Sequence, residues 1–188
     1  LFISFEGGEG SGKTTQIRRL EEWFRHQGRD VVVTREPGGS PGAEEIRNLL
    51  LTGDPGRWDA VTEAFLMFAS RRDHVERTIR PALADGKVVL CDRFADSSVA
   101  YQGYGHGLGA EYIRNLWALA IGDFKPDLTL IFDLPIEVGL GRAGARFANV
   151  SAAEDRFERM GVEFHQRLRD GFKEISQTDA DRCRMIDA

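Results

Sequence analysis

The sequence predicts an α/β protein: a five-stranded parallel sheet flanked by helices in three layers. Three observations predict it. Short apolar runs alternate with longer stretches of helical period, the runs are almost continuously apolar, and residues capable of chemistry recur just behind them. A continuously apolar strand is buried on both faces, as in a parallel sheet covered by helices. In such sheets ligands gather at the carboxyl ends of the strands.

The elements follow in order. Residues 1–5 (Leu-Phe-Ile-Ser-Phe) are the first strand, and residues 14–27 a helix with Ile17, Leu20 and Phe24 on one face, closed by Gly28. Residues 31–35 are the second strand, 36–42 a Pro/Gly-rich loop and 43–51 a short helix. Residues 61–84 form a long helix with Phe65, Phe68, Val75 and Ile79 as inner positions. Residues 88–91 are the third strand, 110–121 a helix, 128–132 the fourth strand, 153–175 a long polar helix and 183–186 the fifth strand. The Gly-, Ala- and Arg-rich stretch 139–155 interrupts this rhythm and is expected to be a small flexible lid, centred on residues 141–155, within a single domain spanning 1–188.

Composition narrows the class. The 188 residues are 41% hydrophobic and 29% charged, with a formal net charge of -5. A protein that grips nucleic acid carries a basic excess, so nucleic acid is not an expected partner; a local Arg cluster can still hold a small anion. The two cysteines, Cys91 and Cys183, make neither a disulfide framework nor a metal site and fit a reducing cytoplasm. No apolar run approaches a membrane span and no signal peptide precedes the first strand. The chain starts at Leu1 without Met and stops at Ala188 behind an apolar run, so both ends are expected to be trimmed.

Gly7-Gly8-Glu9-Gly10-Ser11-Gly12-Lys13-Thr14 matches G-x-x-x-x-G-K-[ST], between a strand and a helix. The glycines allow successive backbone N–H groups to converge on one point, and the helix N-terminus adds partial positive charge. Lys13 is placed to reach the β- and γ-phosphates of ATP, and the Thr14 hydroxyl to bind Mg²⁺. The fold class is therefore that of P-loop NTPases. Asp92, ending a buried strand, is the second expected Mg²⁺ ligand. Asp133 has the same form, although an Asp there also serves as a helix cap.

The acceptor is narrowed by exclusion. A GTPase base reader is missing, because Lys125-Pro126-Asp127 lacks its Asn/Thr and precedes its strand, and protein-kinase elements are absent. A small-molecule kinase remains, supported by Arg35, Arg72 and Arg93 near strand ends or the long helix and by Arg142, Arg146 and Arg156 in or beside the lid. Two other readings stay open: a deoxynucleoside kinase, for which Glu36 is the obvious base, and a nucleotide-binding module without transferase activity.

The residues Phe5-Glu6-Gly7-Gly8-Glu9-Gly10-Ser11-Gly12-Lys13-Thr14-Thr15, Thr34-Arg35-Glu36-Pro37-Gly38-Gly39, Asp92-Arg93-Phe94 and Ser97-Ser98-Val99-Ala100-Tyr101-Gln102-Gly103 together resemble the bacterial thymidylate kinases along essentially the whole chain. The resemblance implies transfer of the γ-phosphoryl group of ATP to dTMP, with Mg²⁺, in a homodimer. It implies that Gly7, Gly8, Glu9, Gly10, Ser11, Gly12, Lys13, Thr14 and Thr15 bind ATP, and that Glu9 approaches the dTMP sugar. It implies that Phe68 stacks on thymine, Arg72 reads its exocyclic oxygen and Arg93 binds the dTMP phosphate. Ser98 and Gln102 contact the base, Tyr101 lies under the deoxyribose, and Glu36-Pro37 falls where the family tends to hold a cis peptide. The P-loop has no Arg, so the resemblance places the catalytic Arg in the lid, at Arg142 or Arg146.

Overall fold

A computed structural model describes residues 1–54, 56–147 and 160–188, with the side chains of 143–147 left out. Five strands form one sheet in the order β2-β3-β1-β4-β5: β1 (Phe2–Gly7), β2 (Val31–Arg35), β3 (Val88–Asp92), β4 (Leu128–Asp133) and β5 (Cys183–Asp187). Every pairing is parallel, as continuous apolar runs require. The helices are α1 (Lys13–His26), α2 (Pro41–Leu51), α3 (Ala60–His74), α4 (Arg80–Ala84), α5 (Ala95–Ser98), α6 (Ala110–Ile121), α7 (Ile136–Phe147) and α8 (Val162–Thr178).

Alternate strand residues point to opposite faces, and two layers of core follow from that period. Ile3, Phe5, Val31, Val88, Leu90 and Phe132 pack with Ile17, Leu20 and Phe24 of α1. On the other face Phe2, Val89 and Cys91 pack with Val75, Ile79, Phe94 and Ile121. A further cluster joins Ile131 and Cys183 to Phe68, Ile113, Phe164, Leu168 and Phe172.

Two expectations need correction. The long helix over 61–84 is interrupted: α3 passes into a π-helical turn, Val75–Ile79, before α4. Phe65 is not an inner position but 53% exposed, because the buried residues run Ala64, Phe68, Arg71, Val75, Ile79 and leave it on the opposite side. The stretch expected to be a lid from 139 begins inside α7, which continues to Phe147; residues 148–155 and Arg156 lie outside the described residues. The final helix is described from Val162, so its expected start at 153 also falls outside them. A second π-helical turn, Val99–Gly105, continues α5. Its residues follow neither helical nor strand period, and it carries Tyr101 and Gln102.

Candidate functional site

The carboxyl ends of β1, β2 and β3 open into one cleft of about 550 Å³. At one end is the loop 7–12, which leads into α1 with Gly12 at φ 85° and Gly10 at φ 66°. Both glycines hold left-handed backbone at no steric cost. The loop is also wedged from outside. A Cβ at Gly10 would come within 2.3 Å of the Gly139 carbonyl oxygen, and one at Gly139 within 2.6 Å of the Glu9 carbonyl oxygen. The first turn of α7 therefore sits directly against the loop, and Arg142, from the next turn, reaches to 3.5 Å from the Gly10 carbonyl. Arg146 lies on the same helix, but its side chain is outside the described residues.

Lys13 is buried and its Nζ donates to the carbonyls of Gly7 (3.2 Å) and Gly8 (2.9 Å) and to Ser11 Oγ (3.3 Å). Burial, then the nearby charge of Arg93, pushes the Lys13 ammonium down to about 8 despite the opposing pull of Glu9, Asp92 and Glu6. Thr14 Oγ1 lies 3.4 Å from Asp92 Oδ2. A hydroxyl and a carboxylate at the mouth of the phosphate loop are hard oxygen donors of the kind that hold Mg²⁺ together with water and phosphate oxygens. Among the described residues no cluster of three or more His, Cys, Asp or Glu could hold a metal by itself.

Arg93 occupies the middle of the cleft. It follows β3 with φ 69°, a left-handed conformation rare for a residue with a side chain. Its Nη1 donates to the Gly7 carbonyl (3.0 Å) and Ser97 Oγ (3.3 Å), and its Nη2 donates to the Glu9 carboxylate. Tyr101 donates from its hydroxyl to the same carboxylate at 2.9 Å, and its ring lies under the Arg93 guanidinium. Burial opposes ionisation of Glu9, but Arg93, Lys13 and the Tyr101 hydroxyl outweigh it and hold the pKa down to about 2. Burial also works against the Arg93 charge; the surrounding Tyr101, Glu9, Asp92 and Glu6 keep its pKa above the ordinary arginine value.

Beneath Arg93 lies Glu6, fully buried on β1, which accepts from Phe94 N–H (2.7 Å) and from the Ser97 hydroxyl. Burial, then Asp96, drives its carboxyl up to about 8 against Ser97, Arg93 and the Phe94 amide. Glu6 thus ties β1 to the turn that aims Arg93.

The far end of the cleft is lined by Arg35, Glu36, Pro37, Arg47, Met67, Arg71, Ser98 and Gln102. The Glu36-Pro37 peptide is cis. Glu36 is buried, with Oε2 accepting from Arg71 Nε at 2.7 Å and Oε1 3.0 Å from His74 Nδ1. Arg71 also donates to Ser98 Oγ (3.1 Å) and to the Phe94 carbonyl (3.1 Å), and stacks over the Phe68 ring at 4.6 Å.

Of the residues expected to bind the acceptor, the structure brings Glu36, Pro37, Arg93, Ser98, Tyr101 and Gln102 into the cleft and leaves two out. Phe68 is 3% exposed and belongs to the core below Arg71. Arg72 points away, toward Glu76 (3.1 Å) and the Ala120 carbonyl (3.2 Å) on the surface. Their neighbours Met67 and Arg71 line the cleft instead. The reason is helical phase: one residue turns a side chain by about 100°, and the buried series 64-68-71-75-79 passes through Arg71, not Arg72. That series is visible in the sequence and could have identified Arg71. No comparable signal marks Arg47, which reaches the cleft from α2 and donates to the Pro37 carbonyl at 2.7 Å.

Chemically, the cleft offers a main-chain anion cradle at one end, a guanidinium in the middle and a donor-rich pocket for a planar polar group at the other. A sequence model of the family described as thymidylate kinase matches residues 5–188. A thymidylate kinase of Caulobacter vibrioides is 59% identical over 188 residues, covering 100% of this chain and 88% of the relative. One from Ruegeria pomeroyi is 56% identical over 187 residues, covering 100% and 86%. The crystal structure of thymidylate kinase from Ehrlichia chaffeensis superposes with a TM-score of 0.80 at 38% identity, covering 99% of this chain and 91% of that one.

Proposed function

This chain belongs to the thymidylate kinase family, and we propose that this cleft moves the γ-phosphoryl group of ATP to dTMP by bringing two anions end to end around Arg93. It is an ATP:dTMP phosphotransferase, giving dTDP and ADP. The observation that carries the residue-level reading is the position of Arg93, bonded on one side to the phosphate loop at Gly7 and on the other packed on Tyr101 at the base end.

The acceptor is a phosphate monoester whose second pKa is about 6, so it arrives largely ionised and no general base is required. Both Glu36 oxygens already face Arg71 and His74, which disfavours a neutral nucleoside acceptor that needs Glu36 as base. The task is charge compensation and alignment. Gly7 to Thr15 hold the ATP phosphates, with Lys13 at the β- and γ-oxygens. Thr14 and Asp92 hold Mg²⁺, which when bound neutralises phosphate charge. Arg93 binds the dTMP phosphate, and Glu9, fixed by Arg93 and Tyr101, faces the sugar. Arg142 supplies positive charge from the far side of the loop; Arg146, whose side chain lies outside the described residues, is the alternative for that role. Met67, Arg71, Ser98 and Gln102 receive the thymine.

The reading includes a cytoplasmic homodimer. Among the described residues no helix is long and apolar enough to cross a membrane, and both cysteines are free and buried. Val61 and Phe65 of α3 and Tyr112 and Leu119 of α6 are large exposed apolar side chains on two helices that pack together. Such a patch fits a second copy of the chain.

Coupled detection of ADP tests the reaction: release should require dTMP and Mg²⁺ together. Turnover with thymidine and none with dTMP would overturn it.

A further inference from the structure

Gln102 sits on the π-helical turn Val99–Gly105, lines the cleft and is 1% exposed. Its Nε2 donates to Glu63 Oε1 at 2.8 Å, whereas its Oε1 has no hydrogen-bond partner among the described residues. Glu63 is fully buried on α3 and does not line the cleft. His106, which follows the same turn, places its Nε2 3.2 Å from the same Glu63 oxygen without hydrogen-bonding to it. The amide presents its nitrogen to a Glu63 oxygen, which accepts, and keeps its own oxygen as the spare group. A buried polar atom without a partner is costly, and here it belongs to a side chain at the base end of the cleft.

We propose that Glu63 is a positioning residue that fixes the amide polarity of Gln102, and that the resulting free acceptor selects pyrimidines carrying a ring N–H. The inference rests on the reading of dTMP as acceptor. Thymine presents an N3–H donor beside its O4 acceptor; cytosine presents an N3 acceptor beside an amino donor. Arg71 is donor-only, and its orientation is set by Glu36 and Ser98. A fixed donor from Arg71 and a fixed acceptor from Gln102 complement thymine. Cytosine meets donor against donor and lone pair against lone pair. A freely turning amide would satisfy either base, so Glu63 converts an adaptable group into a discriminating one.

The test is a double-mutant cycle of Glu63→Gln and Gln102→Met, with steady-state rates for dTMP and dCMP. In Glu63→Gln, KM for dTMP should rise about tenfold with kcat within about twofold, and the preference for dTMP over dCMP should narrow by about tenfold. In the Gln102→Met background, adding Glu63→Gln should change neither KM nor the preference further. An unchanged KM and preference in Glu63→Gln, or effects that multiply in the double variant, overturns the proposal. Should Glu63→Gln not fold, the unaltered ¹⁵N-labelled protein decides. The Gln102 side-chain amide protons should exchange slowly both free and with dTMP bound, and rapid exchange in either state overturns the proposal. If the unaltered chain does not phosphorylate dTMP, the parent reading fails instead.

Discussion

The guanidinium of Arg93 and the carboxylate of Glu9 are bonded to each other across the floor of the cleft, and each is held by Tyr101 as well. The pair joins the third strand to the phosphate loop. It also explains why a left-handed backbone is tolerated at residue 93: the guanidinium gains the Gly7 carbonyl, Ser97 and Glu9 at once.

Arg93→Lys keeps one charge but loses the planar fork that spans these partners. We expect kcat/KM for dTMP to fall on the order of 10²-fold or more, with ATP affinity much less affected. Initial rates with each substrate varied in turn separate the two.

Arg71 and Arg72 are adjacent and should behave oppositely. Arg72→Ala removes an exposed pair with Glu76 and a surface hydrogen bond to the Ala120 carbonyl, and stability should change by about 1 kcal/mol or less with kinetics unaltered. Arg71→Ala leaves Glu36 buried without its cation and should destabilise by about 3–5 kcal/mol. Arg71→Lys, which retains charge, should raise KM for dTMP about tenfold or more. Thermal melts and steady-state kinetics on the three variants check the contrast.

The Lys13 ammonium, pushed to about 8 by burial and by Arg93, should make ATP binding pH-dependent in the free protein. ATP is already ionised at neutral pH, so the relevant change is loss of the Nζ proton. Affinity should be constant below about pH 8 and fall by up to about tenfold per unit above it. Lys13→Arg, which stays charged, should flatten the profile. Calorimetric titration from about pH 7 to about pH 9.5 measures it.

Glu6 predicts a stability profile of definite sign. Its folded pKa is raised from the carboxylate value to about 8 by burial and Asp96. The folded chain therefore retains a proton that the unfolded chain has released. The stabilisation tied to this proton is complete below the ordinary carboxylate pKa and is lost as pH rises through about 8. Glu6→Gln cannot ionise, so its melting temperature should gain on the unaltered protein by several degrees between about pH 5 and about pH 9. A constant difference across that range contradicts the assignment.

Much of the fold was legible because its signals are local. Apolar runs located all five strands, the last of them interrupted by Arg184, and the glycine-rich loop needs only neighbouring residues and a following helix. The turn Val99–Gly105 was missed because its residues show neither helical nor strand period, and its π geometry is maintained by packing against α8 and α6. At the base end, adjacent residues were confused. Phe68 and Arg72 carry the suggestive chemistry, but the one-residue phase of α3 buries Phe68 and turns Arg72 to solvent, bringing Met67 and Arg71 to the cleft.

By itself the sequence determined the parallel sheet, the glycine-rich loop between the first strand and the first helix, and the placement of Asp92 and Arg93 at a strand end, since each depends on residues close along the chain. Tertiary structure alone decided which arginine of α3 faces the cleft, that Glu36 bonds to Arg71, and that Glu63 meets Gln102 from 39 positions away. Those contacts join separate elements, and their geometry follows from how the helices rotate and dock on the sheet, a quantity no local pattern carries.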